Sequence, residues 1–230
     1  MKAIVLAAGR GERMRPLTDT TPKPLLLAGG KPLIAYHLEA LRRAGVRDVV
    51  INLSWLGALI REALGDGAEY GVHIAYSEEG PVPLETGGGI FRALPLLGTE
   101  PFVVVNGDNF WSFDLRTLKL DPGAQAQIVL VPNPAHNPRG DFGLEAERVV
   151  LDAVERFTYA GIGIYRRELF AGCTDGRFAL LPLLQRAIRA GALAGQLYRG
   201  EWLDIGTPER LAILDERLRS RSADVTQLKR

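Results

Sequence analysis

Apolar residues gather along this chain in short unbroken runs at residues 3–7 (AIVLA), 48–53 (DVVINL), 72–76 (VHIAY), 102–106 (FVVVN) and 128–131 (IVLV). Val and Ile at successive rather than alternate positions predict strands covered on both faces, the mark of a parallel sheet. The stretches between these runs carry a helical period instead. In residues 32–44 one face takes Leu33 or Ile34, His37 or Leu38, and Leu41, with Pro32 suited to a first turn and Gly45 to a C-terminal stop. Residues 55–64 and 88–97 fill the next two crossovers. The alternation predicts an α/β fold, a Rossmann-like doubly wound and mostly parallel sheet.

After Val131 the texture changes. Pro132, Pro134 and Pro138 follow in quick succession, then shorter strand-like pieces at residues 149–153 and 159–165, then helical patterns at 178–190 and 208–219. Residues 220–230 are polar enough to fray. No Ser/Gly-rich linker and no internal repeat divides the chain, so the expectation is a single domain over residues 1–230. Its first half, about 1–131, would hold the ligand ends of the strands, and its second, about 132–230, an acceptor.

Composition narrows the choice of partners. Hydrophobic residues make up 47% and charged residues 24%, the balance of a globular chain, and the formal net charge is +1. So even a balance gives no basis for broad attraction to nucleic acid or an anionic membrane, and any phosphate site must be local. Cys173 is the only cysteine, which excludes an intramolecular disulfide. With no basic-then-apolar leader and no membrane-length apolar run, a cytoplasmic location is expected.

Candidate chemistry falls at strand ends, where open α/β sheets bind ligands. The first strand runs into Ala8-Gly9-Arg10-Gly11-Glu12-Arg13, where glycines let backbone N–H groups approach an anion and arginine adds a fixed charge. The turn lacks the third glycine of a dinucleotide fingerprint and the Gly-Lys-Ser/Thr of a P-loop. Next, Lys23 stands between Pro22 and Pro24, expected to be an extended segment that fixes a point charge. The run 103–108 ends in Asn106-Gly107-Asp108, and 201–207 delivers Asp204. Two carboxylates completed by phosphate oxygens and water suit Mg²⁺ rather than zinc. Each of these also reads as an ordinary turn or loop residue when taken alone; their conjunction carries the argument. His37, His73 and His136 read as structural, Trp55, Trp111 and Trp202 as packing residues, and Arg10 as solvated.

In this order and spacing the motifs resemble the sugar-1-phosphate nucleotidylyltransferases, whose Ala-Gly-x-Gly-x-Arg turn and following Lys-Pro are matched by residues 8–13 and by Lys23-Pro24. The likeness continues through Leu84-Glu85-Thr86-Gly87-Gly88-Gly89, similar to the family's base-recognising loop, then Asn106-Gly107-Asp108, and finally Trp202-Leu203-Asp204-Ile205-Gly206-Thr207. Glu12, where much of the family has Ser or Thr, is similar to short uridylyl-transferring members without a C-terminal β-helix. Its carboxylate is expected to face solvent or a basic neighbour. Asn109 departs from the family, where an apolar residue is common.

The resemblance implies UTP held by Ala7, Ala8, Gly9, Gly11, Glu12, Arg13, Lys23, Glu85 and Gly88, and a sugar 1-phosphate held by Asn106, Gly140, Asp141, Glu155 and Gly161. It implies Mg²⁺ on Asp108 and Asp204, with Arg13 and Lys23 as the catalytic cations. Glu85 can equally brace its loop, and Asp141 can equally be a turn residue. Glu155 and Gly161 enter through the family's strand with Glu followed by a strand with Gly. A dinucleotide-dependent oxidoreductase would need an acid ending the second strand, where this chain has Asn52-Leu53.

Overall fold

A computed structural model describes residues 1–227, with side chains described through Arg221. The first half contains β1 (Ala3–Leu6), β2 (Leu27–Ala28), β3 (Lys31–Pro32), α1 (Leu33–Arg43), β4 (Asp48–Leu53) and α2 (Gly57–Leu64). There follow β5 (His73–Glu78), α3 (Glu85–Leu97), β6 (Phe102–Asn106), β7 (Asn109–Trp111) and β8 (Ala126–Val131). The second half adds β9 (Gly143–Glu145), β10 (Arg148–Val150), β11 (Thr158–Tyr165), α4 (Leu181–Arg189), β12 (Leu193–Leu197), β13 (Trp202–Asp204) and α5 (Pro208–Gln227). Helix α5 continues through residues expected to fray, and 228–230 lie outside the described residues. No described helix is long and apolar enough to cross a membrane.

Nine strands form one sheet in the order β5-β4-β1-β6-β11-β8-β12-β10-β9, so both halves of the chain feed it. Strands β5, β4, β1 and β6 are parallel, Ala3 pairing with Val49 on one side and Val103 on the other. Successive residues of β1 bury into opposite faces: Ala3 and Val5 join the core beneath Leu38, Leu41 and Ile60, while Ile4 joins Ile90, Leu94 and Leu184 across the sheet. That two-sided burial is why these strands read as unbroken apolar runs.

Sheet order departs from a simple parallel succession. The run ending at Val131 is a strand, yet it does not neighbour β6: β11 lies antiparallel between them. Between Tyr159 and Gly163 the register of β11 against β8 slips, a bulge. There the Ala160 carbonyl accepts hydrogen bonds from Asn109 Nδ2 (2.6 Å) and Trp202 Nε1 (3.0 Å). Asn109 and Trp202 belong to a two-stranded ribbon, β7 with β13, that no periodicity announced; it pairs Asp204 with Asn109 and Trp202 with Trp111. A third core cluster of Met14, Leu33, Phe110, Ile205, Leu211 and Leu214 packs α5 beneath that ribbon and the Gly-rich turn.

Local corrections follow from packing and turn chemistry. Lys23 opens a 3-10 turn (Lys23–Leu25) rather than an extended segment, because Pro24 supplies the helical φ that the second turn position accepts. Helix α3 starts at Glu85, so the glycine run forms its first turns instead of a loop. Helix α4 starts at Leu181, later than the pattern suggested, since Phe178 and Leu84 exchange the backbone contact Phe178 N–H to Leu84 C=O at 3.1 Å.

Candidate active site

At the C-terminal ends of β1, β4 and β6 lies a cleft of about 470 Å³. It gathers Ala7, Ala8, Gly9, Gly11, Glu12, Arg13, Lys23, Glu85, Asn106 and Asp108 in one wall, together with Asn52, Glu79 and Gly206, which sequence reasoning did not single out.

The Gly-rich turn is shaped by Gly11, whose φ of 63° is left-handed. A Cβ there would stand 2.9 Å from Thr18 Cγ2, and the Thr18 hydroxyl donates to the Gly11 carbonyl at 2.8 Å. Glu12 and Arg13 follow on a short 3-10 helix, both exposed, and Glu12 forms no ion pair among the described residues. Arg10 is not simply solvated. Its guanidinium lies 4.4 Å over the Trp55 ring, and Trp55 Nε1 donates to the Thr18 carbonyl at 3.0 Å, bracing the turn from outside.

Lys23 is buried, and its Nζ donates to Asp108 Oδ2 at 2.9 Å while the Asp108 side chain keeps 42% exposure. A buried cation thus rests on a carboxylate that faces the cleft. Across the β7–β13 ribbon, Ile205 N–H donates to the Asp108 carbonyl at 2.9 Å, which holds Asp204 beside Asp108. Asp204 Oδ2 accepts from Arg210 Nη1 and lies 3.0 Å from His136 Nε2. His136, read as structural, therefore joins the site from the Pro-rich loop. Nothing local marks this contact, because its two residues lie far apart within the second half of the chain. A Cβ on Gly206 would stand 3.0 Å from both Arg13 Nη2 and Asp204 Oδ1, so a side chain there would press on the tips of that cation and that anion.

His37 lies behind Asp108, fully buried and tilted against Trp111 at 5.5 Å. Burial lowers its pKa to about 4, partly opposed by the Asp108 charge and by the Asn109 and Gly107 carbonyls.

A chain of hydrogen bonds ties β1 to the start of α3. Ala7 N–H donates to Asn52 Oδ1 (2.7 Å), Asn52 Nδ2 to Glu79 Oε1 (2.5 Å), and Leu84 N–H to Glu79 Oε2 (2.6 Å). Burial pushes the Glu79 carboxyl up, and the bonds from Leu84 and Asn52 hold it back. Glu85 lines the cleft with a left-handed φ of 61°, and its carboxylate pairs with Arg177 at 3.0 Å, the bracing role. Gly88 does not line the cleft. A Cβ on it would fall 2.2 Å from the Gly176 carbonyl, so its smallness serves the close approach of α3 to the 176–179 loop.

A second cavity of about 470 Å³ shares Thr86 and Asn106 with the cleft and is walled by Gly140, Asp141, Arg156, Tyr159 and Leu180. Asn106 Oδ1 is buried without a hydrogen-bond partner. Gly161, with φ 72°, lies under this carboxamide, where a Cβ would stand 2.7 Å from Asn106 Cγ. It makes room for Asn106 rather than lining the cavity itself. Asp141 accepts from Asn137 Nδ2 (3.0 Å) and the Tyr159 N–H (2.8 Å), so both its oxygens hold the loop. Glu155 sits on no strand. It is exposed in the loop before β11, on a neighbouring cavity of about 740 Å³ with Arg139 and Arg199, apart from Asn106.

A mostly parallel sheet that presents a Gly-rich turn, a buried lysine and a pair of carboxylates at its strand ends defines a transferase of phosphate-linked nucleotides. The chain belongs to the nucleotidyl transferase family, whose model matches residues 2–158. It is 52% identical over 220 residues to the N-acetylmuramate alpha-1-phosphate uridylyltransferase of Neisseria meningitidis serogroup B, covering 92% of this chain and 95% of that one. It is 35% identical to the like-named enzyme of Caulobacter vibrioides, covering 94% and 96% of the two chains. Among solved structures, the fold matches a Bacillus anthracis protein assigned as a glucose-1-phosphate thymidylyltransferase, solved with a sucrose. The TM-score is 0.82 at 23% identity over 95% of each chain. HddC of Yersinia pseudotuberculosis complexed with GMP-PN matches with a TM-score of 0.73 at 21% identity, covering 94% and 98%.

Proposed function

We propose that this enzyme transfers the uridylyl group of UTP to N-acetyl-α-muramate 1-phosphate, giving UDP-N-acetylmuramate and pyrophosphate in the recycling of cell-wall sugar. The observation that carries this reading is the seat of Asn106. It borders both the nucleotide cleft and the second cavity, two residues ahead of Asp108, so triphosphate and sugar phosphate meet beside the Lys23–Asp108 pair. The muramate acceptor rests on the 52% identity to the Neisseria enzyme.

A phosphate oxygen of the sugar attacks the α-phosphorus of UTP in line; the new P–O bond forms as the bond to pyrophosphate breaks. No protein nucleophile is needed, because the attacking phosphate is already an anion. The protein's task is to bring polyanions together and to meet charge as it shifts. Lys23 holds the α-phosphate and the sugar phosphate, and Arg13 neutralises the departing pyrophosphate. Backbone N–H groups of Gly11 and Glu12 line its path.

Asp108 and Asp204 suit Mg²⁺. Both offer hard carboxylate oxygens, and Oδ1 of each accepts no hydrogen bond among the described residues. No group of three or more His, Cys, Asp or Glu among the described residues forms a metal centre of its own, so phosphate oxygens and water would complete the shell. Bound there, the ion supplies Lewis-acid neutralisation of phosphate charge.

Pyrophosphate release from UTP, TTP, GTP and CTP, each against muramate, glucosamine, glucose and mannose 1-phosphates, tests the reading. UTP with N-acetylmuramate 1-phosphate is expected to give the highest kcat/KM, abolished by a chelator. Preference for a hexose lacking the lactyl group would overturn it.

A further inference from the structure

N-acetylmuramate 1-phosphate differs from plain hexose phosphates in carrying a second anion, the carboxylate of its lactyl ether, on the ring away from the phosphate. A site selective for it needs a cation in the sugar cavity, set apart from Lys23 and Arg13. The wall of that cavity contains one arginine, Arg156.

Its surroundings leave that charge unmatched. Arg156 forms no ion pair among the described residues: Glu155 next to it is exposed, and both carboxylate oxygens of Asp141 are occupied by Asn137 and Tyr159. The guanidinium is nevertheless fixed, because Nη2 donates to the Asp141 carbonyl, while Asn133 Nδ2 holds the Arg156 backbone by donating to its carbonyl at 2.9 Å. Its Nε is buried with no acceptor. A guanidinium held in place with donors unsatisfied is a costly arrangement for a free cavity wall and a preorganised one for a carboxylate, which its planar fork matches.

Position supports the same occupant. The sugar cavity meets the nucleotide cleft at Thr86 and Asn106, where the 1-phosphate must enter. Arg156 is instead common to the sugar cavity and the neighbouring one that holds Arg139 and Arg199, and that neighbour shares no lining residue with the nucleotide cleft. A sugar seated phosphate-first therefore turns its far substituents toward Arg156.

We propose that Arg156 is the specificity-determining residue for the lactyl carboxylate of the acceptor, an inference that rests on the muramate reading above. Arg139 and Arg199 line only the neighbouring cavity and contribute background field.

The test compares kcat/KM for N-acetylmuramate 1-phosphate with kcat/KM for N-acetylglucosamine 1-phosphate, which lacks the lactyl arm, in wild type, Arg156→Gln, Arg156→Lys and Arg199→Gln. The muramate-to-glucosamine ratio is expected to fall about 10- to 100-fold in Arg156→Gln, mainly through KM, as expected for a lost charge-assisted hydrogen bond. Arg156→Lys should recover part of the ratio, and Arg199→Gln should keep the wild-type value. Equal losses on both sugars in Arg156→Gln would assign the residue to loop support alone and overturn the proposal, as would a wild-type ratio in that variant. A wild-type enzyme that does not favour the muramate sugar would remove the substrate reading itself, and this inference with it; the two failures are separable by that first measurement.

Discussion

The nucleotide cleft and the sugar cavity are built on different plans. The cleft stands on the ends of adjacent parallel strands, and around exposed Glu12 and Arg13 several of its charged groups are already paired: Lys23 with Asp108, Asp204 with Arg210 and His136, Glu79 with Asn52 and the Leu84 amide. The sugar cavity is walled by loop residues such as Gly140, Asp141 and Arg156 together with side chains of α3, α4, β6 and β11, and it keeps unmatched groups, Asn106 Oδ1 and Arg156 Nε among them. Paired charges keep a rigid half ordered before triphosphate arrives, whereas loose polar ends leave the other half to be completed by its ligand. The phosphate chemistry can then be shared across a family while acceptor choice is set in loops.

The largest expected effect falls on the paired half. Asp108→Ala should lower kcat about 10²- to 10³-fold at saturating UTP and Mg²⁺, in the range found for removing one electrostatic group from a transition state, and Lys23→Ala should do the same. Pyrophosphate release measures it. Near-normal turnover in either variant would break the contrast, since the cleft's pairs would then be ornaments of the fold.

Acid should loosen the same half from behind. The folded chain keeps His37 neutral down to about pH 4, whereas the unfolded chain protonates it near its ordinary 6.5. Between these values the unfolded state binds more protons, so the His37 contribution is fully present above 6.5 and is lost as pH falls toward 4, by roughly 3 kcal/mol in all. Urea unfolding across that range should give a shallower pH slope for His37→Leu than for wild type; parallel slopes would refute the burial argument.

Glu79→Gln sharpens the comparison further. An amide cannot accept from both the Asn52 Nδ2 and the Leu84 N–H with its two ends, so one buried donor loses its partner at a cost of about 1–3 kcal/mol. The denaturant midpoint should fall and KM for UTP rise, with KM for the sugar following less. The reverse order would assign the network to the acceptor side.

Smallest of all are the loop carboxylates. Asp141→Asn keeps one of the two acceptors and should raise the sugar KM a few-fold, an effect on the order of 1 kcal/mol. Exposed Glu155→Ala should leave stability within about 0.5 kcal/mol and the sugar KM at its wild-type value. A larger effect at Glu155 than at Asp141 would return Glu155 to the sugar site.

What the chain disclosed in one dimension follows the same divide. The Gly-rich turn, Lys23 and Asp108 were legible because each sits within a few residues of a strand end and its chemistry is local. Sheet order was not, since nothing in residues 158–165 says that β11 will lie antiparallel between β6 and β8. The short strand that carries Asp204 was legible, but its pairing with β7 and the contact of His136 with Asp204 were hidden, because each joins residues far apart in sequence. The glycine run hid a second reason for its smallness, since the Gly176 carbonyl is pressed against Gly88 from a segment distant in sequence. Glu155 misled because family habit placed it on a strand that the fold does not form.

One feature of the core bears on how the enzyme comes into being. Met14 beneath the Gly-rich turn, Phe110 on β7 and Leu214 on α5 belong to one cluster, so early, middle and late segments share a foundation. During synthesis the triphosphate turn would emerge long before the helix that underlies it. A nascent chain can complete its parallel strands and still lack a floor for Arg13 and Asp204, so competence should wait until α5 has left the ribosome.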